Sequence, residues 1–138
     1  RLGPLQLGMS AQEAQRLLGQ GKTIPGQPGQ LRFSDEGRTF GIVTDPASAR
    51  IIAIACTETD LTARPCPAQL GIRVGDGRDR VVSLLGIGDA SAGRTEDMWY
   101  PAIATSFRLN EDKVAEIRVA AAGSGGSIWP IVFWRLLL

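Results

Sequence analysis

A stretch of thirteen residues occurs twice in this chain. It reads Leu7-Gly-Met-Ser-Ala-Gln-Glu-Ala-Gln-Arg-Leu-Leu-Gly19 and again Val74-Gly-Asp-Gly-Arg-Asp-Arg-Val-Val-Ser-Leu-Leu-Gly86, aligned without a gap at an offset of 67. Gly8, Leu17, Leu18 and Gly19 fall on Gly75, Leu84, Leu85 and Gly86, and the apolar Leu7 and Ala14 fall on Val74 and Val81. Each copy predicts one short helix. In the first, Ser10 and Glu13 have the spacing of a capping box, with the Ser10 hydroxyl accepting the third helical N–H. Ala14, Leu17 and Leu18 then share one face at helical spacing, and Gly19 stands where a left-handed residue ends a helix. The second copy starts more weakly, with Asp76 and Asp79 in place of the box. Repetition at a fixed offset points to a tandem duplication, which constrains the fold before any other feature does.

The strands follow from the intervals between turns. In the first half, Leu31–Ser34, Thr39–Thr44 and Ile51–Cys56 are short β-prone runs, separated by the turns Asp35–Arg38 and Asp45–Arg50. Such short turns require antiparallel neighbours, because parallel strands need long crossovers. The glycine- and proline-rich Gly19–Gly29 reads as a loop. In the second half, Met98–Tyr100, Ala102–Leu109 and Val114–Val119 repeat the plan after a loop from Ile87 to Glu96. The predicted class is α+β: two tandem helix-plus-antiparallel-meander repeats, with the helices packed on one face of the sheet. The divisions are 1–56 for the first repeat, 57–69 for a connector, 70–119 for the second repeat and 120–138 for a Gly/Ser linker and apolar tail. Strand alternation puts Ile52, Ile54 and Cys56, with Ala115, Ile117 and Val119, toward the helices, and Glu116 and Arg118 away from them.

The tail Ile128–Leu138 is strongly apolar but far shorter than the ~20 residues that span a bilayer, and it contains Pro130 and Arg135. It reads as an element that closes the fold, as a membrane-interface or partner-binding segment, or as an appendage joined through a flexible linker.

Composition excludes several functions. The chain has no histidine, which removes the Ser-His and Cys-His nucleophile pairs and His-ligated zinc. Fifteen basic and fourteen acidic residues give a net charge of +1 with no basic cluster, so no nucleic-acid surface is expected. Gly19-Gln-Gly-Lys-Thr23 ends like a phosphate-binding loop but lacks the glycine required at position 16 and a helix after Thr23. The acidic pairs at Asp35–Glu36 and Glu111–Asp112 sit in turns, and Asp76 and Asp79 sit at a helix start, where carboxylates are ordinary. Glu96–Asp97 beside Trp99 and Tyr100 is the pair best placed for acid–base work. No enzyme, no cofactor and no metal are expected. Cys56 and Cys66, ten residues apart, fit one disulfide in an exported protein or two buried thiols in a reducing compartment. A chain that opens on Arg1 rather than Met is expected to have been trimmed, either by a signal peptidase or when the protein was engineered, and no signal peptide remains to be read.

Leu7-Gly-Met-Ser10, Leu17-Leu-Gly19, Gly75-Asp-Gly77 and Leu84-Leu-Gly86, each followed by a meander, resemble the tandem-repeat β-lactamase inhibitor protein family and the related small outer-membrane assembly lipoproteins. The likeness covers residues 3–119. It implies an exported bacterial protein, periplasmic or secreted and in possible association with the envelope, that binds a protein partner through its sheet face and loops without catalysis. The chain departs from that family in its few aromatics, in having one cysteine pair for two repeats, and in lacking an N-terminal lipidated cysteine. The docking residues expected on physical grounds are Arg32, Phe33, Trp99, Tyr100, Arg108 and Arg118, near the loops Pro25–Gln30 and Ala90–Asp97, because aromatics and arginines carry most interface energy. Alternation forbids all six from sharing a face. The competing reading is an envelope protein that holds a lipid or a small apolar ligand.

Overall fold

The computed structural model describes residues 1–58, 64–90 and 97–121. Two helices, α1 (Ala11–Leu18) and α2 (Arg78–Leu85), accompany eight strands: β1 (Lys22–Ile24), β2 (Gln27–Asp35), β3 (Arg38–Thr44), β4 (Ile51–Glu58), β5 (Asp89–Ala90), β6 (Asp97–Tyr100), β7 (Thr105–Asn110) and β8 (Lys113–Ala120). The strands form one antiparallel sheet in the order β1-β2-β3-β4-β8-β7-β6-β5. Its centre is the β4–β8 pair, which joins strands far apart in sequence through Ile54 opposite Val119 and Cys56 opposite Ile117.

The composition is α+β, but the expected architecture of two helix-plus-meander repeats with packed helices is corrected. The molecule is mostly one continuous sheet. Each helix is only eight residues long and places a single fully buried residue in the core, Ala14 from α1 and Val81 from α2. The rest of that core comes from strands and lead-ins: Phe33, Phe40, Ile42, Ile54, Phe107 and Ile117, with Leu2 and Leu5. Leu17 and Leu84, aligned in the repeated stretch, are 53% and 48% exposed. Two helical turns cannot turn a full apolar stripe inward. The helices therefore add little to a core built by strand pairing.

The repeated stretch instead specifies a local anchor. The Gly8 N–H donates to the Ile51 carbonyl and the Ile51 N–H to the Met9 carbonyl, while the Gly75 N–H donates to Val114 and the Val114 N–H to Asp76, all at 2.8 Å. Each helix entry is thus tied to the start of a central strand, β4 or β8. Ser10 Oγ accepts the Glu13 N–H at 3.1 Å, as the capping pattern predicts. Gly19 and Gly86 end the helices at φ 86° and 79°, but with ψ near −170°, an extended mirror-image conformation rather than the left-handed helical one. Only glycine enters that region without strain.

Three further expectations shift. Gly19–Gly29 is not all loop, because β1 lies within it and β2 begins at Gln27. Pro101–Ile103 forms a 3₁₀ turn, so β7 starts at Thr105 rather than Ala102. Pro101 cannot donate to a ladder, and its fixed φ suits a turn start. A register irregularity beside Thr44 pairs it with Ile51, so Ile51 joins Ile54 and Cys56 in the core, whereas Ile52 is only half-buried. The hairpins Asp35–Arg38 and Asn110–Lys113 turn through residues with positive φ: Glu36 and Gly37, then Glu111 and Asp112. This is the hand that matches strand twist.

Cys56 and Cys66 are disulfide-bonded, with Cα atoms 5.9 Å apart and both residues buried. The bond pins the connector to β4. Arg38 reinforces it: its guanidinium lies over the Phe40 ring, pairs with Asp35 Oδ2 and donates to the Pro65 carbonyl at 2.9 Å. Among the described residues no helix is long and apolar enough to cross a membrane.

Candidate partner-binding surfaces

The six candidate docking residues divide between the two faces of the sheet. Phe33 and Tyr100 point to the helix side, where Phe33 is 1% exposed and part of the core. The Tyr100 ring meets Phe107 edge-on at 6.2 Å, and its hydroxyl donates to the Gly86 carbonyl at 2.8 Å. Burial raises the Tyr100 hydroxyl above its ordinary pKa of 10.0. Tyr100 thus holds the end of α2 onto β6.

Arg32, Trp99, Arg108 and Arg118 lie on the far face. Strand pairing sets Arg32, Gly41, Ala55, Arg118, Ser106 and Trp99 in one row across six strands. The next row runs Thr39, Thr57, Glu116, Arg108 and Asp97. Side chains from these rows converge in a four-charge cluster. Arg118 Nε donates to Glu116 Oε1, Arg118 Nη1 stands 3.5 Å from Asp97 Oδ1, and Arg108 Nε is 3.7 Å from Glu116 Oε2. Two guanidinium groups balance two carboxylates. Glu116, Arg118 and Asp97 are buried, and Arg108 is largely so. Burial raises the Glu116 carboxyl above its usual range. Arg118, through charge and hydrogen bond, and Arg108 pull it back, while Asp97 pushes it further up. Alternation correctly predicts that Glu116 and Arg118 face away from the helices; their burial there is not written in the local pattern.

A different surface is open and apolar. The end of α2 and the 3₁₀ turn enclose a groove of about 380 Å³, lined by Leu84, Leu85, Ile87, Trp99, Pro101 and Ile103 among others, with no charged side chain among the described residues that line it. Leu84, Ile87 and Ile103 are 48%, 90% and 44% exposed. Of the six sequence candidates, Trp99 and Tyr100 reach it. Sequence reasoning missed Ile87 and Ile103. The available signal was an isoleucine stranded between Gly86 and Gly88, beyond any helix face.

Two other clefts are more polar. One, about 420 Å³, lies between Ile24, Gly26, Gly29, Gln30 and Thr44, where the expected Pro25–Gln30 loop is a turn running into β2. The other, about 430 Å³, lies between Leu17, Pro67, Asp35, Arg38 and Arg64. Residues 91–96 of the Ala90–Asp97 loop, Glu96 among them, lie outside the described residues, as do 59–63 of the connector and 122–138 of the tail.

No family model matches this chain, and no curated protein does. Its fold is similar to that of a cysteine-rich secretory protein (SAV1118) from Staphylococcus aureus subsp. aureus Mu50, at a TM-score of 0.60 and 13% identity. The match covers 83% of this chain and 43% of the other, so this chain spans under half of that protein's length. At that identity the likeness concerns the fold alone.

Proposed function

We propose that this chain is a non-catalytic, exported protein-binding module of the bacterial envelope, inhibitor-like or assembly-like, in keeping with its resemblance to the tandem-repeat β-lactamase inhibitor protein family. The observation that carries this reading is the groove at the end of α2. Three large aliphatic side chains stand exposed around a hollow whose described lining carries no charge, and contiguous exposed apolar surface marks an interaction site. The groove is an open trough, suited to an apolar side chain or short segment of a protein. The buried Cys56–Cys66 disulfide supports an oxidising compartment.

The test compares the chain with an Ile87→Asp/Ile103→Asp variant, each immobilised and exposed to periplasmic extract. Both substitutions fall on exposed positions and leave folding intact. A partner retained by the chain and lost, or weakened by about 2 kcal/mol or more, in the variant supports the groove. Equal retention removes it. Saturable binding of a fluorescent fatty-acid analogue, one per chain and abolished by the same variant, favours the lipid-binding alternative instead.

A further inference from the structure

The cleft beside α1 is built like the groove beside α2, and a segment of the chain already lies in it. Gly21 and Phe33 stand 67 residues before Gly88 and Tyr100. Their contacts correspond: a Cβ on Gly21 would come within 2.8 Å of the Phe33 ring, and one on Gly88 within 3.0 Å of the Tyr100 ring. Leu17 and Leu18 line the first hollow from the end of α1, as Leu84 and Leu85 line the second from the end of α2. Strand pairing sets Phe40 opposite Phe33 and Thr105 opposite Tyr100. Arg38, two residues before Phe40, therefore corresponds to Ile103, two residues before Thr105, and Asp35 to Ala102. Each hollow lies between the end of a helix and the turn of a hairpin.

Residues 64–67, Arg-Pro-Cys-Pro, cross the first hollow. The Arg64 N–H donates to the Glu36 carbonyl at 3.0 Å, and the Arg38 guanidinium donates to the Pro65 carbonyl at 2.9 Å. Arg64 also stands 3.8 Å from Asp35 and 3.9 Å from Glu36, so charge on the segment meets charge on the hollow. Pro67 packs on Gly3 so closely that a Cβ there would lie 2.7 Å from its ring. The second hollow differs at each of these points. Ile103 and Ala102 replace the charged Arg38 and Asp35. Leu70, 67 residues after Gly3 and at a similar φ of 56°, carries the Cβ that Pro67 excludes at Gly3. No described segment crosses this hollow, and Leu84, Ile87 and Ile103 stand exposed around it.

We propose that the α2 groove receives an extended, uncharged segment of a partner protein with a proline seated beside Ile103, as residues 64–67 seat on the first hollow. The inference rests on the protein-binding reading of the groove. Charge complementarity selects the side chains of the occupant. The first hollow presents Asp35 and Arg38 and takes a segment that bears Arg64. The described lining of the second presents no charge, so a charged occupant would lose its water without compensation. The backbone follows the same logic. An extended segment carries N–H groups that an aliphatic wall cannot accept, whereas proline has no N–H and holds its own φ in the extended range. A segment ordered in advance also loses less entropy on docking. Leu70 stands at the Pro67 end of the hollow, which leaves the place of Pro65, beside Ile103, for the proline.

The experiment uses the full chain and an array of short uncharged peptides, in which alanine, leucine, isoleucine and glutamine fill every position but a central one, held by proline or by alanine. The chain is expected to bind the proline members at least about tenfold better than their alanine counterparts. A lysine or an aspartate beside the proline lowers binding by a similar factor. In a titration with the strongest member, the methyl resonances of Ile87 and Ile103 shift saturably and those of Leu17 and Leu18 do not. The Ile87→Asp/Ile103→Asp variant abolishes that binding, and Leu17→Asp in the first hollow leaves it unchanged. Equal binding of proline and alanine members, binding of none, or shifts centred on Leu17 overturn the inference. The extract experiment separates that failure from failure of the protein-binding reading. A partner retained by the chain and lost by the variant keeps the groove as a protein site although the array shows no proline preference; failure of both experiments removes both.

Discussion

Arg118 on β8 and Asp97 on β6 face each other at 3.5 Å although β7 runs between their strands. The side chain that β7 places opposite Arg118 is the small Ser106, so the guanidinium can extend past it. Arg118 also donates to Glu116, which makes it the shared counter-ion of two buried carboxylates. Breaking a buried pair on one side leaves the other charge stranded in a poor solvent.

Arg118→Met is therefore expected to lower folding stability by about 3–5 kcal/mol. It should also steepen the pH dependence. The Glu116 carboxyl already sits above its unfolded value because of burial, so the folded state holds its proton more tightly than the unfolded state does. Stability linked to this group is lost as pH rises from the ordinary carboxylate value toward the folded one. Removing Arg118 removes the leading attraction that offsets burial, so the loss widens upward in pH. Urea melts between pH 4 and 8 on both proteins measure it; parallel curves would show that Arg118 does not hold Glu116 ionised.

Tyr100 is the only tyrosine in the chain, so its ionisation can be followed without ambiguity by tyrosinate absorbance. Its raised pKa predicts titration above pH 10 in the folded protein and near 10 when denatured. The folded state holds this proton more tightly, so stability falls as pH rises through and beyond 10. Tyr100→Phe removes both the titration and the hydrogen bond to Gly86, at a cost of about 1 kcal/mol at neutral pH.

The disulfide closes a loop with a sequence separation of ten. Restricting the unfolded chain over that length is worth about 2–3 kcal/mol. The Cys56→Ser/Cys66→Ser variant should lose that amount in chemical denaturation. Thiol titration of the non-reduced, denatured parent should find no reactive cysteine.

The hairpin between β7 and β8 places Glu111 at φ 52°, a conformation glutamate seldom adopts. Asparagine tolerates it far better and is preferred at this turn position. Glu111→Asn is expected to raise stability by about 0.5 kcal/mol, read as an upward shift in Tm with no change in far-ultraviolet circular dichroism.

The two helices were legible because their signals are local. Ser10 caps through the Glu13 N–H three residues on, and Gly19 and Gly86 stop the helices by a backbone freedom that no neighbour supplies. The bounds of β3, β4, β6 and β8 were legible to within two residues for the same reason, from turn residues and alternation, whereas β5 fell inside the expected loop Ile87–Glu96. Two misreadings lie where the decisive partner is distant, and a third, at Ala102, is a local signal passed over. Lys22–Ile24 looks like loop and becomes a strand because β2 offers it a ladder. Ala102 reads as strand but lies in the turn opened by Pro101, one residue before it. Ile51 enters the core only through the irregularity opposite Thr44.

The candidate surface was less legible still. Sequence determined that Arg32 and Phe33, and Trp99 and Tyr100, must part to opposite faces, because side chains alternate along any strand. It determined that a carboxylate and a guanidinium, Glu116 and Arg118, share the face away from the helices. Only the tertiary structure decided that β4 pairs with β8, and with that the burial of those charges. It likewise decided that two-turn helices leave Leu84 in solvent, so that the 3₁₀ turn and Ile87 complete an apolar groove. The difference is physical. Alternation and capping act over one to four residues, whereas burial depends on which strands lie side by side, and that pairing is settled by the free energy of the whole sheet.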